Sequence, residues 1–277
     1  MLCCRYVLYL FNAPVGPQNS VGFMRKTALV IPCFNEAGRL KGDKFVEALA
    51  KNQSLDLIFV NDGSSDDTGR KLAGICANYP ARSSVIELEA NSGKAEAVRR
   101  GVLKAIEERF DYIGYLDADL ATPFAEIEKI EAELERKNAE MVLGSRVKLL
   151  GKNITRKLAR HLVGRALATF ISLALNLPVY DTQCGAKLFR NSAVIFEVFK
   201  EPFLTGWLFD VELIARFIIA NQASGKTKDN HFSIIEKPLD EWVDVQGSKV
   251  KLSHLPSIAK DMATIIYKYT PALYRKT

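Results

Sequence analysis

Two aspartates, Asp117 and Asp119, close the apolar run Tyr112-Ile113-Gly114-Tyr115-Leu116. The run reads as a buried strand, and residues at i and i+2 on a strand point to one side. Two carboxylates placed together repel unless a cation or a donor network lies between them. A hard divalent metal with oxygen ligands, Mg2+ or Mn2+, itself carrying a nucleotide diphosphate, fits that geometry. The same residues also suit a strand end leading into a helix, with Pro123 in its first turn. The pair alone does not choose between these readings, so the elements around it must.

Those elements alternate. Thr27–Cys33 reads as a buried strand that stops at Pro32-Cys33-Phe34-Asn35-Glu36, with a helix over 39–52. A second strand, 55–60, ends in Asn61-Asp62-Gly63-Ser64-Ser65-Asp66, a loop of residues that cap helices and tolerate tight turns, before a helix over 68–78. A third strand, 85–88, leads through Asn91-Ser92-Gly93-Lys94 into a helix over 95–109. After the two aspartates come a helix over 123–137 and a short strand, 141–143, ending in Gly144-Ser145-Arg146. Repeated strand, loop and helix imply an α/β fold with a mostly parallel sheet flanked by helices. Ligands of such sheets bind outside the carboxyl ends of the strands, where all these polar clusters fall. Lys94, at a loop leading into a helix, would meet phosphates as a point charge.

The second half reads differently. A helix over 154–177 starts with Arg156, Lys157, Arg160, His161 and Arg165 and continues apolar, a pattern suited to a membrane surface as well as to core packing. A strand through Phe189, a helix over 207–220, a strand over 233–236, a loop over 241–249 and a last amphipathic helix over 255–269 follow. The expected organisation is an extension at 1–23, a first half at 24–150, a second half at 151–252, and a basic amphipathic helix at 253–277.

The chain has 277 residues, 48% hydrophobic and 25% charged, with a net charge of +6, within the range of one large domain or two small ones. The basic excess suits an anionic partner: nucleotide, lipid phosphate, membrane surface or nucleic acid. Basic–aromatic interleaving and recognition-helix patterns are missing, so no nucleic-acid partner is expected. Five scattered cysteines without a Cys-x-x-Cys pair read as reduced thiols in a cytosolic setting.

Pro32-x-Phe34-Asn35-Glu36, Asn61-Asp62-Gly63-Ser64-x-Asp66 and Asp117-Ala118-Asp119 occur in order and together resemble the family 2 glycosyltransferases, with the GT-A fold. Gly144-Ser145-Arg146, Asp181-Thr182-Gln183-Cys184-Gly185-x-Lys187-Leu188-Phe189, Trp207-x-Phe209-Asp210-Val211-Glu212 and Gly247-Ser248-Lys249 are similar to polyprenyl-phosphate glycosyltransferases, more to dolichyl-phosphate β-glucosyltransferases than to mannose synthases. Asn61 departs from the usual aspartate, and the Gln-x-x-Arg-Trp motif of processive synthases is missing, which argues against polymerisation.

The resemblance implies inverting transfer of a sugar, glucose from UDP-glucose first, to dolichyl or undecaprenyl phosphate, with 24–150 as the nucleotide-sugar-binding half and 151–252 as the acceptor-binding half. GDP-mannose or another nucleotide sugar is the alternative donor. It places Asp62 on the uracil ring, Pro32 and Phe34 along the base, and Asn35 and Glu36 in support, with Ala118 between the two metal ligands Asp117 and Asp119. A lipid monophosphate is already anionic and needs no strong base, with a second pKa of about 6. It does need cations: Arg146, Arg156, Arg160, and Lys249 with Ser248. Arginine recognises phosphate bidentately, and Arg156 and Arg160, spaced i and i+4, share a helix face. Gln183, Trp207 and Asp210 are expected near sugar or acceptor. The setting implied is peripheral, at the cytoplasmic face of the membrane. Further partners admitted are a second copy of the chain and a separate membrane subunit.

Overall fold

The computed structural model describes residues 25–147, 153–155 (backbone only), 169, 171–173, 175, 177–225, 234–243, 245 and 255–274. The extension at 1–23, Arg156, Arg160, Ser248 and Lys249 lie outside the described residues.

The first half alternates as its hydrophobic runs dictate: β1 (Thr27–Cys33), α1 (Gly42–Lys51), β2 (Leu55–Asp62), α2 (Thr68–Cys76), β3 (Ser83–Leu88), α3 (Lys94–Glu107), β4 (Tyr112–Leu116), α4 (Phe124–Arg136) and β5 (Met141–Ser145). It continues with β6 (Asn153–Thr155), β7 (Ala186–Arg190), α5 (Ala193–Phe199), α6 (Phe209–Ala223), β8 (Ile234–Pro238), β9 (Glu241–Val243), α7 (Leu255–Lys268) and α8 (Thr270–Leu273). Seven strands form one sheet in the order β3-β2-β1-β4-β7-β5-β8. All its pairings are parallel except those of β7, which runs antiparallel to β4 and to β5. Strands of both expected halves thus share one sheet.

The strands read as unbroken apolar runs because both faces are covered. Alternate residues divide between two layers. Val30, Val60 and Ile113 pack with Val98 and Val102 of α3 and with Phe199, Val211 and Ile265 on one face. Leu29, Phe59 and Leu116 pack with Phe45, Leu72 and Ile130 on the other.

Three elements differ from expectation. Asn153–Thr155 is a strand, not the start of a helix, and pairs in parallel with β9, where a loop was expected. Trp242, in the middle of β9, is buried against the second layer, so burial of one large ring organises this short strand. Helix α5 was not anticipated. Its signal is Ser192, whose Oγ accepts from the Ile195 N–H at 3.4 Å, ahead of the apolar run Ala193–Phe199. Among the described residues, no helix is long and apolar enough to cross a membrane.

Candidate active site

The loops at the carboxyl ends of the strands are tied to one another in sequence. Asn35, held at φ +50°, donates its N–H to Ser64 Oγ at 3.0 Å, and its side-chain oxygen accepts from the Ser65 N–H at 2.9 Å. The Glu36 N–H donates to Thr68 Oγ1 at 2.8 Å, while its carboxylate holds Arg39 through two bonds, 2.8 and 2.5 Å. Asp66 accepts from the Ala37 N–H at 3.1 Å, and its carboxyl lies below the usual range, chiefly because of the Thr68 hydroxyl. Pro32 and Phe34 are half-buried beside this junction.

Asp62 is buried, and its two oxygens accept from the N–H groups of Ser92 at 2.7 Å and Gly93 at 2.8 Å. That clamp fixes the turn that starts α3, so its first residue, Lys94, reaches the next strand end. Lys94 Nζ lies 2.6 Å from Asp117 Oδ1 and 5.7 Å from the ring centroids of Tyr115 and Phe209. Burial opposes the ammonium charge, but Asp117, Asp210 and Asp119 outweigh it and hold Lys94 above its ordinary pKa.

Asp117 and Asp119 stand at the end of β4 as the sequence pattern requires, with Ala118 buried between them. The Asp117 N–H donates to the Gly185 carbonyl at 3.0 Å. Gly185 presses on the same carboxylate: a Cβ there would stand 1.9 Å from Asp117 Oδ2. Asp119 is half-buried, and its Oδ1 accepts from the Ala121 N–H at 3.0 Å. Burial, then the charge of Asp117, raises the Asp119 carboxyl above the ordinary aspartate value. Asp119 thus organises the turn before α4 and still presents a carboxylate beside Asp117.

Do these residues fit a divalent metal? Two hard carboxylates side by side, one of them carrying a raised pKa, form an under-neutralised oxygen donor set. Among the described residues no cluster of three metal-binding side chains occurs, so a metal held by this pair would take its further ligands from bound oxygens. The Lys94 ammonium now sits on one of them.

Beneath this edge lies a charged cluster. Asp210, buried at the start of α6, accepts from Lys187 Nζ at 2.5 Å and from the Tyr115 hydroxyl. Lys187 is 0% exposed and also donates to the Cys184 carbonyl at 2.7 Å. Burial, followed by Asp210, pushes Tyr115 well above its usual pKa. Asp210 therefore sits under the site, engaged with two side chains, rather than at its open surface. Glu212, two residues further along α6, accepts from the Leu204 and Thr205 N–H groups, the Tyr269 hydroxyl and Arg216. Burial raises its carboxyl, but those donors prevail and the net shift is downward.

Arg146 leaves β5 and grips Asp181 through two side-chain bonds of 2.7 and 2.8 Å, with its guanidinium 5.4 Å from the Trp242 ring centroid. Burial disfavours its charge, but Asp181 restores it and the pKa is raised. The Asp181 and Tyr180 N–H groups donate to Glu236 of β8, at 2.6 and 2.8 Å. Gln183 follows half-buried, its buried Nε2 without a hydrogen-bond partner among the described residues. Trp207 is half-buried, and its N–H donates to Asp261 of α7 at 2.8 Å.

Sequence reasoning missed the roles of Lys187, Gly185 and Asp261. A lysine inside the apolar stretch Ala186–Phe189 is the usable signal for the first, since an interior lysine demands a partner. The other two depend on approaches between segments far apart in the chain.

The mostly parallel seven-stranded sheet has the GT-A arrangement, and its strand ends gather a carboxylate pair and a lysine. The chain belongs to glycosyl transferase family 2, whose model matches residues 28–196, and it is a glycosyltransferase. It is 31% identical to the dolichyl-phosphate beta-glucosyltransferase of Saccharomyces cerevisiae, over 90% of this chain and 76% of that protein. The enzyme of the same name from Dictyostelium discoideum is 27% identical over the same shares of the two chains, 90% and 76%. Glucosyl-3-phosphoglycerate synthase from Mycobacterium tuberculosis, solved in complex with Mn2+, UDP-glucose and phosphoglyceric acid, matches with TM-score 0.63 at 17% identity. The match covers 89% of this chain and 80% of that one, a likeness of fold.

Proposed function

We propose that the chain transfers glucose from UDP-glucose, with inversion, to a polyprenyl phosphate at the cytoplasmic face of a membrane. The observation that carries this reading is the pairing of Lys94 with the Asp117–Asp119 carboxylates at the joined strand ends. The dolichyl-phosphate beta-glucosyltransferase relatives supply the acceptor class. The 24–150 half binds the donor and the 151–252 half the acceptor.

In this account Asp119, with Asp117, would hold Mg2+ or Mn2+, which would supply Lewis-acid stabilisation to the leaving diphosphate. Pro32, Phe34, Asn35, Glu36 and Asp62 form the nucleotide pocket, with Asp62 also fixing the turn that carries Lys94. Lys94 moves from Asp117 to the donor phosphates as the site fills, keeping charge balanced. The acceptor phosphate oxygen attacks as an anion, so no side chain needs to take its proton. Arg146, fixed by Asp181 over Trp242, stands at the acceptor side together with Arg156, Arg160, Ser248 and Lys249. Gln183, with an unsatisfied amide donor, and Trp207 line the sugar. Cys33, Cys76 and Cys184 form no disulfide among the described residues.

The test is UDP release from UDP-glucose, followed with and without polyprenyl phosphate and with and without Mn2+. Release that requires both supports the reading. Absence of release with every polyprenyl phosphate tried contradicts it.

A further inference from the structure

Six large apolar side chains stand exposed among the described residues: Leu173 (65%), Leu204, Val243, Ile266, Tyr267 (87%) and Tyr274. Five of them belong to, or are tied to, the C-terminal helical element. Ile266 and Tyr267 are on α7 and Tyr274 follows α8. The Tyr274 hydroxyl donates to the Leu173 carbonyl. The Leu204 N–H donates to Glu212, which also accepts from Tyr269 at the end of α7, at 2.7 Å.

The inward face of α7 is accounted for. Ile265, Tyr269 and Leu273 are buried in the core, and Asp261 accepts from the N–H groups of Gly206, Trp207 and Leu208 at 3.1, 2.8 and 3.1 Å. The outward face carries Ala259, Lys260, Ala263, Ile266, Tyr267 and Lys268, all exposed. Neither lysine forms an ion pair among the described residues. A water-facing helix normally carries charged and polar residues, not large apolar ones, on its outer face. Here the only acid between Val245 and Thr277 is Asp261, which is buried, against six cations: Lys249, Lys251, Lys260, Lys268, Arg275 and Lys276.

Aliphatic side chains with tyrosine and lysine, and no outward acid, match the boundary of an anionic bilayer. Tyrosine rings sit at headgroup depth, and lysine stems lie along the apolar layer while their ammonium groups reach lipid phosphates. A second protein copy would have to accommodate unpaired like charges across a self-complementary face. We propose that the outer face of α7 and α8 docks on an anionic lipid surface through Ile266, Tyr267 and Tyr274, with Lys260 and Lys268 on the headgroups.

The position is suited to the site. Asp261 ties α7 to residues 206–208, which run directly into Asp210 at the start of α6. Lipid bound along the outer face of α7 thus lies on the helix whose inner face holds the segment leading into α6. This deepens, and for its purpose rests on, the reading that the acceptor is a membrane lipid, but the docking itself is tested without any reaction.

The experiment is co-sedimentation of the whole chain with vesicles of phosphatidylcholine alone or with ~30% phosphatidylserine, at low and high salt. Binding is expected with the anionic vesicles, weakened by salt. Ile266→Ser/Tyr267→Ser and Lys260→Gln/Lys268→Gln should each lower vesicle affinity at least fivefold, with unfolding midpoints near that of the parent because the positions are exposed. Equal binding by all variants overturns the proposal, as does absence of vesicle binding. A concentration-dependent dimer abolished by the Ile266→Ser/Tyr267→Ser change would assign the face to a second copy and also overturn it. Transfer to a short, water-soluble prenyl phosphate should persist in these variants. If it is missing even in the parent while vesicles still bind, the functional reading fails and the docking stands.

Discussion

The Lys94 ammonium lies 2.6 Å from Asp117 Oδ1, on one of the two carboxylates that would receive a metal. A divalent cation and Lys94 therefore compete for the same oxygen. Replacing Lys94 by Met should tighten binding of Mn2+ alone, because its competitor is gone, while lowering transfer by about 10- to 100-fold as the donor phosphates lose a cation. Titration calorimetry with Mn2+ and initial rates check the two halves. Unchanged Mn2+ affinity would show that the pair is incidental.

Gly185 permits the position of Asp117. A Cβ at 185 would fall 1.9 Å from Asp117 Oδ2, and the backbone tie between the two residues leaves little room to yield. Gly185→Ala should displace that carboxylate and reduce transfer about 100-fold, the cost of misplacing a reacting group by about 1 Å. Its circular dichroism spectrum should match the parent's. Activity within twofold of the parent would mean the aspartate has no fixed role.

Asp119 carries a raised pKa, from burial first and Asp117 second. A carboxyl raised in the folded state binds its proton more tightly folded than unfolded. Its ionised form thus costs stability above the folded pKa, and the cost is relieved as pH falls through it. Asp119→Asn should accordingly raise the thermal midpoint of the metal-free protein at pH 7 and abolish the stabilisation that Mn2+ gives the parent. Apparent Mn2+ affinity of the parent should weaken on acidification at pH values above the ordinary aspartate pKa of about 3.9. Thermal scans across pH, with and without Mn2+, measure all three.

The buried Lys187–Asp210 pair predicts a stability effect. Lys187→Met leaves Asp210 charged and short of its main partner in the core, a change that costs about 3–5 kcal/mol in other buried pairs. Lys187→Met/Asp210→Leu removes both charges and should recover most of that loss. Urea denaturation distinguishes the cases. A single variant as stable as the parent would mean the pair contributes nothing.

How far the sequence leads depends on whether a contact is local. The strand-end loops at 32–36, 61–66, 91–94 and 117–119 are legible because each is a polar cluster closing an apolar run, and the parallel alternation brings them to one edge. The reversed direction of β7 is not legible, since Ala186–Arg190 has the same apolar character in either direction. Asp210 is expected near sugar or acceptor, yet Lys187, some twenty residues earlier, engages it below the site at 2.5 Å. Asp62 shows the converse: its place in the motif is plain, while its clamp on Ser92 and Gly93 rests on a turn thirty residues away.

The central claim is that the Asp117–Asp119 edge moves a sugar onto a lipid phosphate. The most direct measurement is the chemical product: UDP-glucose labelled in the sugar, incubated with polyprenyl phosphate and Mn2+, extracted into organic solvent and examined for anomeric configuration. The account predicts a β-linked glucosyl lipid phosphate, lost on chelation and lost in Asp119→Ala. An α-linked product, a product that Asp119→Ala still forms at the parent rate, or no lipid-linked sugar from any UDP- or GDP-sugar would contradict it.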